Sequence, residues 1–256
     1  MNILIAGQKW FGAEVFRALR ELPCVTVSAV CAPAGDRLEA QADLHRVPVI
    51  RKLTAATMPA GIGLIIAAHS HDFIGEKTRQ RATWGGIGYH PSLLPLHRGR
   101  DAVRWALRMG DKVTGGSVYR LSNRMDGGDV LAQRHVFIHP GDTAEELWRR
   151  DLAPLGVQLL ASTVAAFARG GYQHGTRQDD TLATWEPSID RPPAFRPDLL
   201  MIEGQKAPKP RRALPAGLHP WLVAEAEHDT ALYDQLCNAG DSSERSGGRR
   251  DVGENK

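Results

Sequence analysis

Asn2-Ile3-Leu4-Ile5-Ala6-Gly7 is a continuous apolar run closed by glycine, and Phe11, Val15, Phe16 and Leu19 follow it at helical spacing. An apolar run without alternation is buried on both faces, so the two together read as a buried strand feeding an amphipathic helix. The pattern repeats outward from this start. Val25 to Ala32 is a second strand candidate, Gly35 to His45 a polar helix, Val47 to Ile50 a short strand, and Gly63 to Ala68 a further apolar strand. Gly86 to Tyr89 then leads into a loop punctuated by prolines. Strands alternating with helices imply an α/β fold built on a doubly wound, mostly parallel sheet.

From residue 102 the character changes. Ala102, Trp105, Ala106 and Met109 share one helical face, and Gly116 to Ser122 and Val130 to Ile138 alternate as paired strands do. Thr143 with Glu146 three positions on has the form of a capping box, and the helix it opens should run to Gly170 with an interruption at Pro154. The main domain is expected at residues 1–185. A proline-rich appendage is expected at 186–240, and a disordered tail at 241–256, where Val252 is the one large apolar residue. Within the appendage, the basic stretch 206–212 reads as a solvated linker or a contact for RNA or an acidic partner. Segments 217–222 and 231–236 read as a small helical element that packs back, meets a partner or forms a homodimer.

The 256 residues are 42% hydrophobic and 24% charged, the balance of a globular chain rather than a disordered one. Cys24, Cys31 and Cys237 have no metal-binding or redox spacing; the first two read as small core residues, which suits a reducing compartment. No basic leader precedes the first strand and no stretch reads as long enough to cross a bilayer, so a cytoplasmic location without a membrane partner is expected. The net charge of +3, with acidic and basic residues interleaved, neither requires nor excludes nucleic acid.

Two stretches carry chemistry. Gly88-Tyr89-His90-Pro91-Ser92-Leu93-Leu94-Pro95-Leu96-His97-Arg98-Gly99 presents a histidine at the C-terminal end of a buried strand, where open parallel sheets place their ligands. Met125-Asp126-Gly127-Gly128-Asp129 sets a carboxylate in a glycine-permissive turn between two strands. The plain alternative is a histidine capping a strand end and an aspartate closing an Asx turn. His69-Ser70-His71 with His90 has a faint look of metal ligands, but no third and fourth ligand is indicated, so no metal is expected. Gly7-Gln8-Lys9-Trp10-Phe11-Gly12 lacks the spacing of a nucleotide-binding loop and reads as structural glycines at a strand-to-helix turn.

The His-Pro-Ser-Leu-Leu-Pro loop with Arg98-Gly99, followed 36 positions after His90 by Asp126, resembles the 10-formyltetrahydrofolate-dependent formyltransferase superfamily over roughly residues 1–170. Gly110-Asp111, Thr114-Gly115 and Gly141-Asp142-Thr143 look most like the catalytic domain of the methionyl-tRNA formyltransferases. The resemblance implies a Rossmann-like formyltransferase fold and an amine that attacks the formyl carbon of 10-formyltetrahydrofolate as co-substrate. It gives His90 the part of polarising group and proton carrier, and Asp126 that of orienting His90 and helping to take the amine's proton. It implies a folate pocket drawn from Ala68, His69, His71, Phe73, Ile74, Gly88, Leu94 and Met125.

The family carries asparagine two residues before the histidine, and here that residue is Gly88. Loss of one such donor to an oxyanion costs about 100- to 1000-fold in rate. Candidates for a substitute are His69, Ser70, His71 and Ser92, with His69 or His71 expected to supply it. Too little chain follows residue 185 for the RNA-binding domain of methionyl-tRNA formyltransferases, and the phosphate loop of glycinamide ribonucleotide formyltransferases is missing. The expected acceptor is therefore a small primary amine such as an amino-sugar nucleotide. The alternatives are a tRNA acceptor, hydrolysis of the donor, and a folate-binding protein without turnover.

Overall fold

The computed structural model describes residues 1–190. The appendage beyond that point, with segments 206–212, 217–222 and 231–236, Cys237 and the tail, lies outside the described residues. The elements are β1 (Asn2–Gly7), α1 (Lys9–Arg20), β2 (Thr26–Cys31), α2 (Arg37–Leu44), β3 (Val49–Ile50), β4 (Leu64–Ala68), α3 (Glu76–Arg79) and β5 (Gly86–His90). They continue with α4 (Ala102–Met109), β6 (Val113–Arg120), β7 (Val130–Phe137), α5 (Ala144–Leu147) and α6 (Ala153–Gly170).

Seven strands form one sheet in the order β3-β2-β1-β4-β5-β6-β7. The first five are parallel; β6 and β7 run antiparallel to their neighbours. Strand order reverses between β1 and β4, and ligands gather at the carboxyl ends of strands beside such a switch point. Because side chains alternate along a strand, Ile3 and Ile5 enter one core with Phe11, Phe16 and Phe167, while Leu4 and Ala6 enter a second with Ile65 and Ile74. Burying each such aliphatic side chain contributes about 1.5–3 kcal/mol, so both faces of β1 are sealed.

The structure departs from the sequence reading in several places. β6 begins at Val113 rather than Gly116, because Val113 to Gly115 already pair with β7. In α4 only Ala102 and Ala106 are buried; Met109 stands half exposed, and the Trp105 indole instead donates to the Pro187 carbonyl at 2.8 Å. The last helix is interrupted before Pro154, by a π-helical turn at Trp148–Leu152. Proline lacks an N–H and its ring crowds the preceding turn, so it sits where a helix restarts. The Tyr89 hydroxyl then donates to the Leu152 carbonyl at 2.7 Å, tying this break to β5.

A further departure concerns length and burial. Ala144–Gly170 is long and apolar enough, on those measures alone, to cross a bilayer, which the sequence reading missed. Leu160, Val164 and Phe167 are nonetheless buried against the sheet, so here it is a core helix. Of the two cysteines described, Cys31 is buried as expected but Cys24 is exposed, at φ 63° in the turn before β2.

Candidate active site

β5 ends on His90, and its pairing with β6 sets His90 opposite Ser117 and Gly88 opposite Tyr119. The loop that follows is fastened to β6 through buried Ser92 and Ser117 and to β7 through the exposed Gln133. Ser92 donates to the Leu96 carbonyl at 2.6 Å, and Ser117 donates to the Ser92 carbonyl at 2.6 Å while accepting from the Leu94 amide at 3.1 Å. Gln133 of β7 donates to the Leu94 carbonyl at 2.9 Å. The loop returns to the strand end, where His90 Nε2 lies 2.6 Å from the His97 carbonyl. A carbonyl only accepts, so Nε2 carries hydrogen and Nδ1 is the nitrogen left to face the site.

His90 Nδ1 faces Asp126 Oδ2 at 3.6 Å, with both side chains largely buried. That distance exceeds a hydrogen bond, and the carboxylate is held elsewhere. Asp126 Oδ1 accepts from the Tyr119 hydroxyl at 2.5 Å and Oδ2 from the Gly99 amide at 2.8 Å. Its own backbone lies at φ 49°, a left-handed conformation that aspartate tolerates better than most residues. The turn that carries it needs glycine at 128: a Cβ there would stand 1.8 Å from the Arg120 carbonyl oxygen.

A second layer locks the two loops together. Buried Arg98 donates to Gln178 Oε1 through Nε at 3.1 Å and Nη2 at 2.7 Å, and Nη2 also reaches Asp180 at 2.9 Å. Gln178 in turn donates to the carbonyls of Asp126 at 2.7 Å and Gly128 at 2.6 Å. Arg124 also pairs with Asp180; chiefly by that bond, with Arg98 adding to it, the Asp180 carboxyl is held below its ordinary range. Buried His97 donates through Nε2 to Asp111 at 2.8 Å. Its Nδ1 lies 3.2 Å from Glu186 Oε1 but without hydrogen-bond alignment, and Glu186 Oε2 has no partner.

The residues expected to line a folate pocket divide into two groups. Gly88 lies in β5 two residues before His90, and its Cβ direction points at Tyr119 and Leu121, not at His69 or His71. Leu94 and Ile74 are buried, while Phe73 is 63% exposed and Met125 36%, which leaves apolar surface free for a ring. Ala68 packs into the α1-side core, and Ala67 faces the side shared by Gly88. His69 and His71 are exposed, with ring centroids 5.3 Å apart edge to face. His69, at φ 61°, is exposed as a residue while neighbouring groups crowd its ring; that partial desolvation first, then the positive charge of His71, Lys9 and Arg100, pushes its pKa down to about 4, a shift that solvent at the exposed side reduces.

Tyr119, Ser117, Gln133, Gln178 and Glu186 were missed by the sequence reading. The first three follow from β5–β6–β7 register. Gln178 and Glu186 sit in a segment without periodicity and carry no local signal. Among the described residues, a shallow, open surface groove lined by Pro140, Gly141, Asp142, Glu146, Arg149 and Arg150 shares no residue with the His90–Asp126 site.

Residues 38–164 match the family model described as formyl transferase. The cytosolic 10-formyltetrahydrofolate dehydrogenase of Xenopus laevis is 30% identical over 203 residues, which cover 73% of this chain and 22% of that protein. The methionyl-tRNA formyltransferase of Acidobacterium capsulatum is 38% identical over 112 residues, 42% of this chain and 34% of that protein. The chain thus spans between 22% and 34% of the length of these curated relatives. Among solved structures, the phosphoribosylglycinamide formyltransferase of Bacillus halodurans has a TM-score of 0.58 at 22% identity, over 66% of this chain and 96% of that one, a likeness of fold.

Proposed function

The chain belongs to the formyltransferase superfamily, and on that premise we propose that it moves a formyl group from 10-formyltetrahydrofolate to a primary amine, with the chemistry at His90 and Asp126. The observation that carries this reading is the pair itself. A buried histidine at the end of β5, its Nε2 hydrogen spent on the His97 carbonyl, turns Nδ1 toward a carboxylate 3.6 Å away.

In the transfer, the amine nitrogen forms a bond to the formyl carbon, the bond from that carbon to the folate nitrogen breaks, and one proton passes from the amine to the leaving nitrogen. His90 Nδ1 is the nitrogen free to take and return that proton, and Asp126 stabilises the charge His90 then carries. Asp126 stays fixed meanwhile through Tyr119 and the Gly99 amide. Exposed Phe73 and Met125, with buried Leu94 and Ile74, are the apolar side chains such a folate pocket would draw on. The Trp185 indole, about 4.0 Å from where a Gly99 Cβ would stand and 37% exposed, adds a flat surface suited to stacking a ring.

The finer reading is a small amine such as an amino-sugar nucleotide. A tRNA acceptor is the second reading, favoured by the 38% identity to a methionyl-tRNA formyltransferase. Incubation with 10-formyltetrahydrofolate and a panel of amino-sugar nucleotides, amino acids and methionyl-tRNA tests both. At least one formylated product should form, and His90→Ala should reduce its rate by roughly 100- to 10,000-fold, the weight of a general acid–base group. Product formed equally fast without His90 would defeat the assignment.

A further inference from the structure

We propose that Tyr119 is the positioning residue of this site: its hydroxyl fixes the Asp126 carboxylate for His90, and residue 88 is glycine because the Tyr119 ring occupies the space beside it. The inference rests on the formyl-transfer reading above. Gly88 and Tyr119 are direct partners across the β5–β6 ladder, so their side-chain directions share one face of the sheet. A Cβ at residue 88 would meet Leu121 Cδ2 at 3.2 Å and the Tyr119 ring at 3.3 and 3.4 Å. A methyl group there already crowds the ring, and a longer polar side chain would have to displace it.

Tyr119 is 8% exposed and its hydroxyl lies 2.5 Å from Asp126 Oδ1, the length of a charge-assisted bond. Burial, and after it the neighbouring carboxylate, holds this phenol well above its ordinary range, so it remains a donor. A phenol has one hydrogen and gives it to one acceptor. With Oδ1 bound to Tyr119 and Oδ2 to the Gly99 amide, the carboxylate cannot rotate, and Oδ2 stays turned toward His90 Nδ1. A tyrosine serving only the core would not need its hydroxyl spent on the one carboxylate beside His90.

The test is a double-mutant cycle on the full-length protein. Turnover is read as tetrahydrofolate formed from 10-formyltetrahydrofolate, with the best amine of the panel or with water as acceptor. Binding of a stable 10-formyl folate analogue and thermal melting are read in parallel. Tyr119→Phe should lower kcat roughly 10- to 100-fold, the weight of one hydrogen bond to a charged group, with KM for the folate and analogue affinity within about twofold. Gly88→Ala should lower kcat by displacing the same ring, and the double variant should lose no more than Tyr119→Phe alone, since both act through one bond. Gly88→Asn should lose activity through the same displacement of the ring, and adding Tyr119→Phe to it should cause little further loss.

Wild-type kcat in Tyr119→Phe, additive losses in the cycle, or a gain in Gly88→Asn with Tyr119 intact would each overturn the proposal. A wild type that binds the analogue but forms no tetrahydrofolate with either acceptor overturns it as well. A wild type that binds no analogue removes instead the formyl-transfer reading beneath it.

Discussion

Asp126 is held by Tyr119, by the Gly99 amide and, through its own carbonyl, by Gln178, so three separate parts of the chain decide where one carboxylate stands. His90 and Asp126 were legible in the sequence because each sits in a motif whose local chemistry is unusual. Tyr119 was not, because nothing local encodes which residue of β6 faces Gly88. The space beside Gly88 is filled from across the sheet by Tyr119 and Leu121, which nothing local to Gly88 in the sequence signals. At this scale Gly128→Ala should destabilise the fold by more than about 2 kcal/mol in urea denaturation, because the new methyl meets backbone rather than a yielding side chain. His69 gives a pH prediction. Its pKa of about 4 in the fold lies below the ordinary value of 6.5, so the unfolded chain binds more protons between those values. Stability from this group is therefore complete above about pH 6.5 and is lost as pH falls toward 4. A histidine NMR titration should find His69 neutral down to about pH 5; a midpoint near 6.5 would contradict the desolvation described.

At the scale of elements, the loop from Pro91 to Gly99 keeps its shape through side chains of β6 and β7 and of the segment at Gln178. Gln178→Ala would leave buried Arg98 without its main acceptor and two carbonyls without their donor. We expect a loss of about 2–3 kcal/mol in stability and a fall in turnover, measured by urea denaturation and initial rates. A neutral result would mean that water replaces the amide and that the two loops are not locked together. The capping box at Thr143 was readable because the two residues that exchange its hydrogen bonds lie three positions apart, and Thr143→Ala should cost about 1 kcal/mol. The break at Pro154 was readable as a break, but not as a π-helical turn. Its form depends on Tyr89, which reaches Leu152 from a strand more than sixty residues earlier.

At the scale of the molecule, the parallel half of the sheet was legible because each strand is a short apolar run followed by a helix. The antiparallel pair was legible in kind, and its start was misplaced because two glycines at 115 and 116 blur the alternation. The boundary expected at residue 185 rested on where prolines begin. Contacts with the α4 region run on through the Pro187 carbonyl, the Ile189 amide and Asp190. A chain ending at Trp185 should therefore melt at least about 3 °C below one ending at Asp190, and equal melting would place those contacts outside the folding unit. A fold that still holds a working formyl-folate site at His90 and Asp126 should bind a stable 10-formyltetrahydrofolate analogue. In calorimetric titration we expect binding at micromolar or lower concentration, weakened in Asp126→Ala; no heat of binding to the wild type would mean that the fold holds no such site.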